Sequence, residues 1–200
     1  LNCDFEFVNV RILLKKMDRE KALQLLSSHL KTENLLKHCL ASEAIMRSLA
    51  KELNEDIEKW SIAGLLHDLD FEKTKDDPAN HTLVSADILE GHGIDDEIIK
   101  AIKGHNAEAL GINRESKLDF ALAAAETVTG LIIATALVYP DKKLKSVKTK
   151  SVLKRMKERA FAKNVNREII RECENLGIAL ERFIEISIGA MQEISDDLGL

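Results

Sequence analysis

A histidine and an aspartate sit side by side, His67-Asp68, at the end of the apolar run Trp60-Ser61-Ile62-Ala63-Gly64-Leu65-Leu66. That pair constrains the fold more than any other feature. Taking a carboxylate out of water is costly unless it is paired or binds a cation. Imidazole and carboxylate together are the donors that a divalent transition ion prefers. A chain that buries this pair must therefore bring further donors to the same point. Other candidates lie at intervals along the sequence. His38 falls on the core-facing stripe of Leu35, Ile45 and Leu49. His81 opens the segment His81-Thr82-Leu83-Val84, and His105 closes Ala101-Ile102-Lys103-Gly104. Glu126 interrupts the apolar run Leu122 to Leu131 and needs a partner there. Asp119, about two helical turns earlier, faces a similar direction and is the alternative carboxylate. Glu126 is preferred for its apolar surroundings.

The scaffold carrying these residues reads as all-α. Only two prolines, Pro78 and Pro140, and nine glycines punctuate 200 residues. Alanine, leucine, lysine and glutamate dominate, and strand-like alternation is scarce. The pattern predicts about eight helices. Asp18 caps the first, Thr32 the second and Asn54 the third, which ends at His67-Asp68. Residues 70–80 read as a polar loop with Pro78. A fourth helix spans about 79–90 and stops at Gly91-His92-Gly93. Asp95 starts the fifth, Ser116 starts a long sixth that Pro140 stops, and the last runs from about 178 to 197. His92 reads as a turn residue and His29 as exposed. Residues 1–16 lack a helical stripe and are expected to be a leader or extension. Residues 17–200 are expected to form a single domain, with a core over about 30–140 and a C-terminal helical lobe over 141–200.

The order His38, His67-Asp68, His81, His105 and Glu126 resembles the HD superfamily of metal-dependent phosphohydrolases. The likeness covers about residues 30 to 140 and is strongest to small members with an HDIG-like motif, here His67-Asp68-Leu69-Asp70. It implies an HD-domain helical bundle. It also implies that His38, His67, Asp68 and the acidic residue near 126 hold one metal. His81 and His105 resemble the extra histidines of dinuclear members, with Asp68 as the bridge. The family's last ligand is usually aspartate. Glu126 is one methylene longer, which puts the mononuclear set in question and leaves Asp119 as the rival. The likeness further points to Lys73 as a phosphate contact. Asn106, directly after His105, is expected to orient it or to bind substrate, and Thr129, one turn beyond Glu126, is expected to point into the same cavity as a substrate contact.

The chemistry expected is metal-assisted hydrolysis, with His67 and Asp68 at its centre. One or two divalent ions (Mn, Fe, Ni, Co or Zn) fit a mixed nitrogen and oxygen set better than Mg or Ca. Such ions activate water and polarise a phosphoryl oxygen, and two of them about 3.5–4 Å apart clamp both reacting oxygens. The expected substrate is a small phosphorylated molecule, with a nucleotide as the class the resemblance favours. No Gly-rich phosphate loop is present, which argues against kinase or NTPase chemistry by that route. Three rivals are a regulatory module that binds a nucleotide without turnover, a dinuclear iron oxygenase and a metal-free helical interaction protein.

Net charge of −5 argues against general coating of nucleic acid, and 4% aromatic residues give no stacking platform. The charge is uneven, however. Residues 141–163 hold ten basic and two acidic side chains, a local excess of eight positive charges. Such a cluster can draw phosphorylated substrates inward, or simply form a solvated face. The three cysteines are far apart and suggest a reducing compartment. The longest apolar run, Leu131 to Tyr139, is too short to span a bilayer. A cytoplasmic protein with no membrane partner is expected, and an oligomer is compatible with the sequence.

Overall fold

The computed structural model describes residues 17–200; the expectation for residues 1–16 lies outside them. Among the described residues the chain is all-helical, with no strand. Asp18 accepts a hydrogen bond from the Lys21 amide and caps α1 (Arg19–His29). The next helix, α2 (Glu33–Leu53), ends on Asn54 at φ 55°. The expectation that Asn54 caps the third helix is corrected here. Asparagine tolerates the left-handed conformation, so it closes α2, and Asp56 caps α3 (Ile57–Leu66) through the Lys59 amide at 3.0 Å.

The pair α2 and α3 is the centre of the fold. α3 runs back along α2, and Gly64 lets the two backbones meet. A Cβ at Gly64 would stand 2.9 Å from the Ser42 carbonyl oxygen and 3.0 Å from the Glu43 Cα. The same seam buries a charge. Glu43 accepts from the Arg19 guanidinium and from the Ser61 hydroxyl at 3.0 Å. Around this seam lie Leu26, Ile45, Met46, Leu49, Leu65 and Leu66, all fully buried.

The polar segment after His67-Asp68 is not simply a loop. It contains one helical turn, α4 (Phe71–Thr74), and α5 (Leu83–Gly91) begins later than expected. Asp95 caps α6 (Asp96–His105), which is followed by a single turn, α7 (Ala107–Leu110). The long helix α8 (Lys117–Leu137) opens with a full capping box between Ser116 and Asp119. By length and composition α8 could cross a membrane, which the run Leu131 to Tyr139 alone did not suggest. Its apolar residues instead pack in the protein interior, Leu122, Val128, Leu131 and Ile132 among them. Beyond Pro140 come α9 (Thr149–Lys157), α10 (Arg167–Arg171), α11 (Leu180–Glu193) and the terminal turn α12 (Ser195–Leu198). α11 packs on α2, and α9 and α10 pack on α8. The expected last helix is therefore two, broken near Ile194.

Candidate metal centre

Four imidazoles and two carboxylates meet where α2, the end of α3, the start of α5, the end of α6 and the middle of α8 converge. His38 projects from α2, His67 and Asp68 follow α3, His81 precedes α5, His105 closes α6, and Glu126 lies on α8. The Nε2 atoms of His38 and His67 are 3.1 Å apart, and those of His81 and His105 are also 3.1 Å apart. Asp68 lies between the two pairs. Its Oδ2 is 3.7 Å from His38 Nε2 and 3.6 Å from His67 Nε2. Its Oδ1 is 3.3 Å from His81 Nε2 and 3.5 Å from His105 Nε2. Glu126 Oε2 approaches His38 Nε2 at 3.9 Å.

The outer face of each ring decides what its inner face offers. His67 Nδ1 lies 2.9 Å from the Gly64 carbonyl, and His105 Nδ1 lies 2.7 Å from the Ile102 carbonyl. A carbonyl only accepts, so both Nδ1 atoms donate. His81 Nδ1 donates to the Asp70 carboxylate at 2.8 Å. His38 Nδ1 meets the Thr129 hydroxyl at 2.9 Å, and that hydroxyl already donates to the Glu126 carbonyl at 2.6 Å. Thr129 therefore accepts from His38. In the neutral ring the hydrogen is held outward in all four cases, and the bare Nε2 lone pairs point inward. Two bare lone pairs at 3.1 Å repel, so each pair needs either a shared proton or a metal ion between its nitrogens. The donor set thus fits a divalent ion on its own chemistry. Two groups could hold one: His38, His67 and Glu126, and His67, Asp68 and His105.

Electrostatics agree with that fit. Burial opposes charge on Asp68, but the surrounding imidazoles of His67, His105, His81 and His38 outweigh it and hold the carboxyl well below the usual range. Burial pushes His67 down to about 3, which keeps it neutral. At His81 burial acts the same way, but Asp68 and Asp70 overcome it and raise the ring to about 9 in the ion-free protein. Burial raises Glu126 above its ordinary value, against the pull of His105 and His38.

The structure also sorts the neighbours. Asp119, the rival to Glu126, accepts from the Glu115 and Ser116 amides at 2.9 Å each and belongs to the start of α8. Asn106 donates to the Pro78 carbonyl at 2.8 Å and the His81 carbonyl at 3.0 Å, so it holds the His81 segment against α6. Thr129 orients His38. Lys73 is exposed on α4. Two residues that sequence reading did not single out matter here. Asp70 is fully buried and accepts from His81 with one oxygen and from the Thr82 and Ser85 amides, at 2.9 and 2.8 Å, with the other. Thr82 takes a left-handed φ of 73°, an uncommon conformation for a β-branched residue, and the two amide bonds to Asp70 brace it. Arg114 ion-pairs with Glu108 and Glu172 and donates to the His105 carbonyl at 3.3 Å, bracing the end of α6. The signal for Asp70 was its place two residues after Asp68, ahead of a histidine and a helix start.

Comparison with known proteins identifies the family. A family model described as "HD domain" matches residues 35–137. The chain belongs to the HD-domain family, and so to a superfamily of metal-dependent phosphohydrolases that bind divalent ions and act on phosphate-containing substrates. It is similar to a tRNA (cytidine(56)-2'-O)-methyltransferase of Thermoplasma volcanium, 31% identical over 134 residues, covering 64% of this chain and 38% of that protein. It is also similar to ribonuclease Y of Nitratidesulfovibrio vulgaris, 32% identical over 99 residues, covering 50% of this chain and 18% of that protein. Ribonuclease Y of Thermosipho melanesiensis is 30% identical over 97 residues, covering 48% of this chain and 18% of that protein. The chain thus spans less than half the length of these relatives. No solved structure matches it.

Proposed function

We propose that this protein is a metal-dependent phosphohydrolase that uses water to cleave a phosphate ester or anhydride of a nucleotide. The observation that carries the reading is the place of Asp68 between two imidazole pairs, each with Nε2 atoms 3.1 Å apart. His38, His67, Asp68 and Glu126 would hold one ion, and Asp68, His81 and His105 a second. When bound, a divalent transition ion supplies a water acidic enough to attack near neutral pH and polarises a phosphoryl oxygen. The protein's own part is orientation. Gly64, Ile102, Asp70 and Thr129 accept the outer ring hydrogens and aim the imidazoles inward. Asp68 stays ionised, so its two oxygens face the two pairs at once. Lys73 is the side chain we assign to a phosphate contact. Asn106 and Thr129 act on substrate through His81 and His38, whose positions they fix.

The names of all three relatives refer to RNA, which favours a nucleotide or a nucleotide chain as the substrate class. The regulatory alternative is supported by Glu126, whose side chain also accepts from the Thr127 hydroxyl. The deciding experiment is reconstitution of metal-free protein with Mn, Co, Fe or Zn, followed by assays on bis(p-nitrophenyl) phosphate and a panel of nucleotides. Product release that depends on the ion is the expected result. Tight nucleotide binding without product, for every ion, would favour the regulatory module.

A further inference from the structure

Part of the positive charge of the C-terminal region lines one groove. α9, the turn at residues 158–166 and α10 enclose about 640 Å³, lined by Lys157, Arg159, Lys163, Arg167 and Arg171 against the single carboxylate of Glu168. Lys157, Arg159 and Lys163 are exposed, and no carboxylate pairs with them among the described residues. Arg171 has only a long, exposed contact of 3.5 Å with Glu174. The groove's shape is held from within. Arg167 donates to the carbonyls of Phe161, Ala162 and Val165, and Arg155 stacks over Phe161 at 4.3 Å. Carbonyls accept from the two Nη atoms of Arg167 without cancelling its charge, so the groove remains positive there. In a chain of net charge −5, such a concentration is a local property of this surface.

The groove rests on the same helix, α8, that carries Glu126 and Thr129. Val165, in its lining, packs on α8 at Gly130, where an added Cβ would stand 3.3 Å from Val165 Cγ2. Gly130 follows Thr129, which holds His38. The groove and the centre are thus linked through one helix, α8.

We propose that this groove binds the phosphodiester backbone of a single-stranded nucleic acid. The inference rests on the hydrolase reading for what happens to the strand, and specifies that reading's substrate as a nucleotide chain. Four exposed cations along a groove suit a ligand with several linked phosphates better than one with a single phosphate. The groove's lining carries no aromatic side chain, so it recognises the backbone and does not stack bases. Binding is consequently insensitive to sequence and strongly weakened by salt.

The test is fluorescence anisotropy of the whole chain with a labelled mixed-sequence oligoribonucleotide, and with DNA of the same sequence, across a salt series. The same measurement is made on Lys157→Glu/Arg159→Glu/Lys163→Glu and on a control, Lys51→Glu/Lys100→Glu/Lys117→Glu, which reverses three exposed lysines elsewhere. The groove variant is expected to bind more than about tenfold more weakly, with the log–log salt slope reduced by about 2, while the control stays close to the unaltered protein. Equal losses in both variants, or unaltered binding in the groove variant, would overturn the inference. So would binding to anionic phospholipid vesicles in place of nucleic acid. Hydrolysis of bis(p-nitrophenyl) phosphate by the ion-loaded protein is read separately. Turnover without strand binding defeats the groove and leaves the hydrolase; strand binding without turnover supports the groove and defeats the hydrolase.

Discussion

The two halves of the centre have the same spacing but different supports. His38 and His67 are tied to the long helix α2 and to the end of α3, and their outer hydrogens go to Thr129 on α8 and to the Gly64 carbonyl. Each of those acceptors is part of a regular helix in the buried core. His105 is equally well seated, but its partner His81 stands outside any helix. Its position depends on Asp70, on the Asn106 clamp and on the left-handed Thr82 beside it. The same Nε2 spacing is therefore obtained from core packing in one half and from a few polar contacts in the other. The second half is the one that substitution or protonation should open first.

The largest effect is expected where the halves join. Asp68→Ala removes the carboxylate shared by both and should lower ion-dependent hydrolysis by at least about 10³-fold, with ion content falling in both halves. Loss of ions from only one half would show that Asp68 does not join them. Asp70→Asn comes next. It removes the anion that orients His81, and affinity for the second ion should drop by about 10- to 100-fold with the first scarcely changed. Equal weakening of both ions in calorimetric titration would break the proposed division of labour.

The pH dependence sharpens the same contrast. In the ion-free protein His81 is raised to about 9, so an ion there must displace a proton. Affinity for the second ion should rise steadily as pH climbs from about 6.5 to about 9, and a flat profile over that range would count against His81 as a ligand. The raised value also stabilises the ion-free fold below the unfolded value of 6.5, and that contribution is lost as pH rises through about 9. His67 has the opposite sign. Its depressed value favours folding above 6.5, and the contribution disappears as pH falls from there towards about 3. Thr129→Val should give the smallest change, about tenfold in affinity for the first ion, because helix α2 still places the His38 ring. A loss as large as that of Asp68→Ala would mean that Thr129 does more than orient His38.

Much of this centre was legible in the sequence, because each donor interrupts an apolar helical pattern that has no other use for it. His67-Asp68 ends a buried run, and Glu126 breaks the interior face of α8. Asn54 was misread because asparagine serves both ends of helices, and only the backbone angle distinguishes them. Asp70 was passed over because its partners, His81, Thr82 and Ser85, lie 11 to 15 residues on and meet it only once the chain folds. The Arg19–Glu43–Ser61 cluster was missed for the same reason, since a glutamate within a charged helix has no local sign of burial. The groove at α9 and α10 was visible as a run of charge. Its shape depends on three carbonyls that turn inward to Arg167, which composition does not encode.

The most direct test of the account is stepwise titration of metal-free protein with Mn, Co or Zn, counting ions per chain by elemental analysis, for the unaltered protein, Asp70→Asn and Asp68→Ala. Two ions of unequal affinity, with Asp70→Asn losing only the weaker, is the predicted result. A single ion that is indifferent to Asp70, or ions that remain bound after Asp68→Ala, would contradict it.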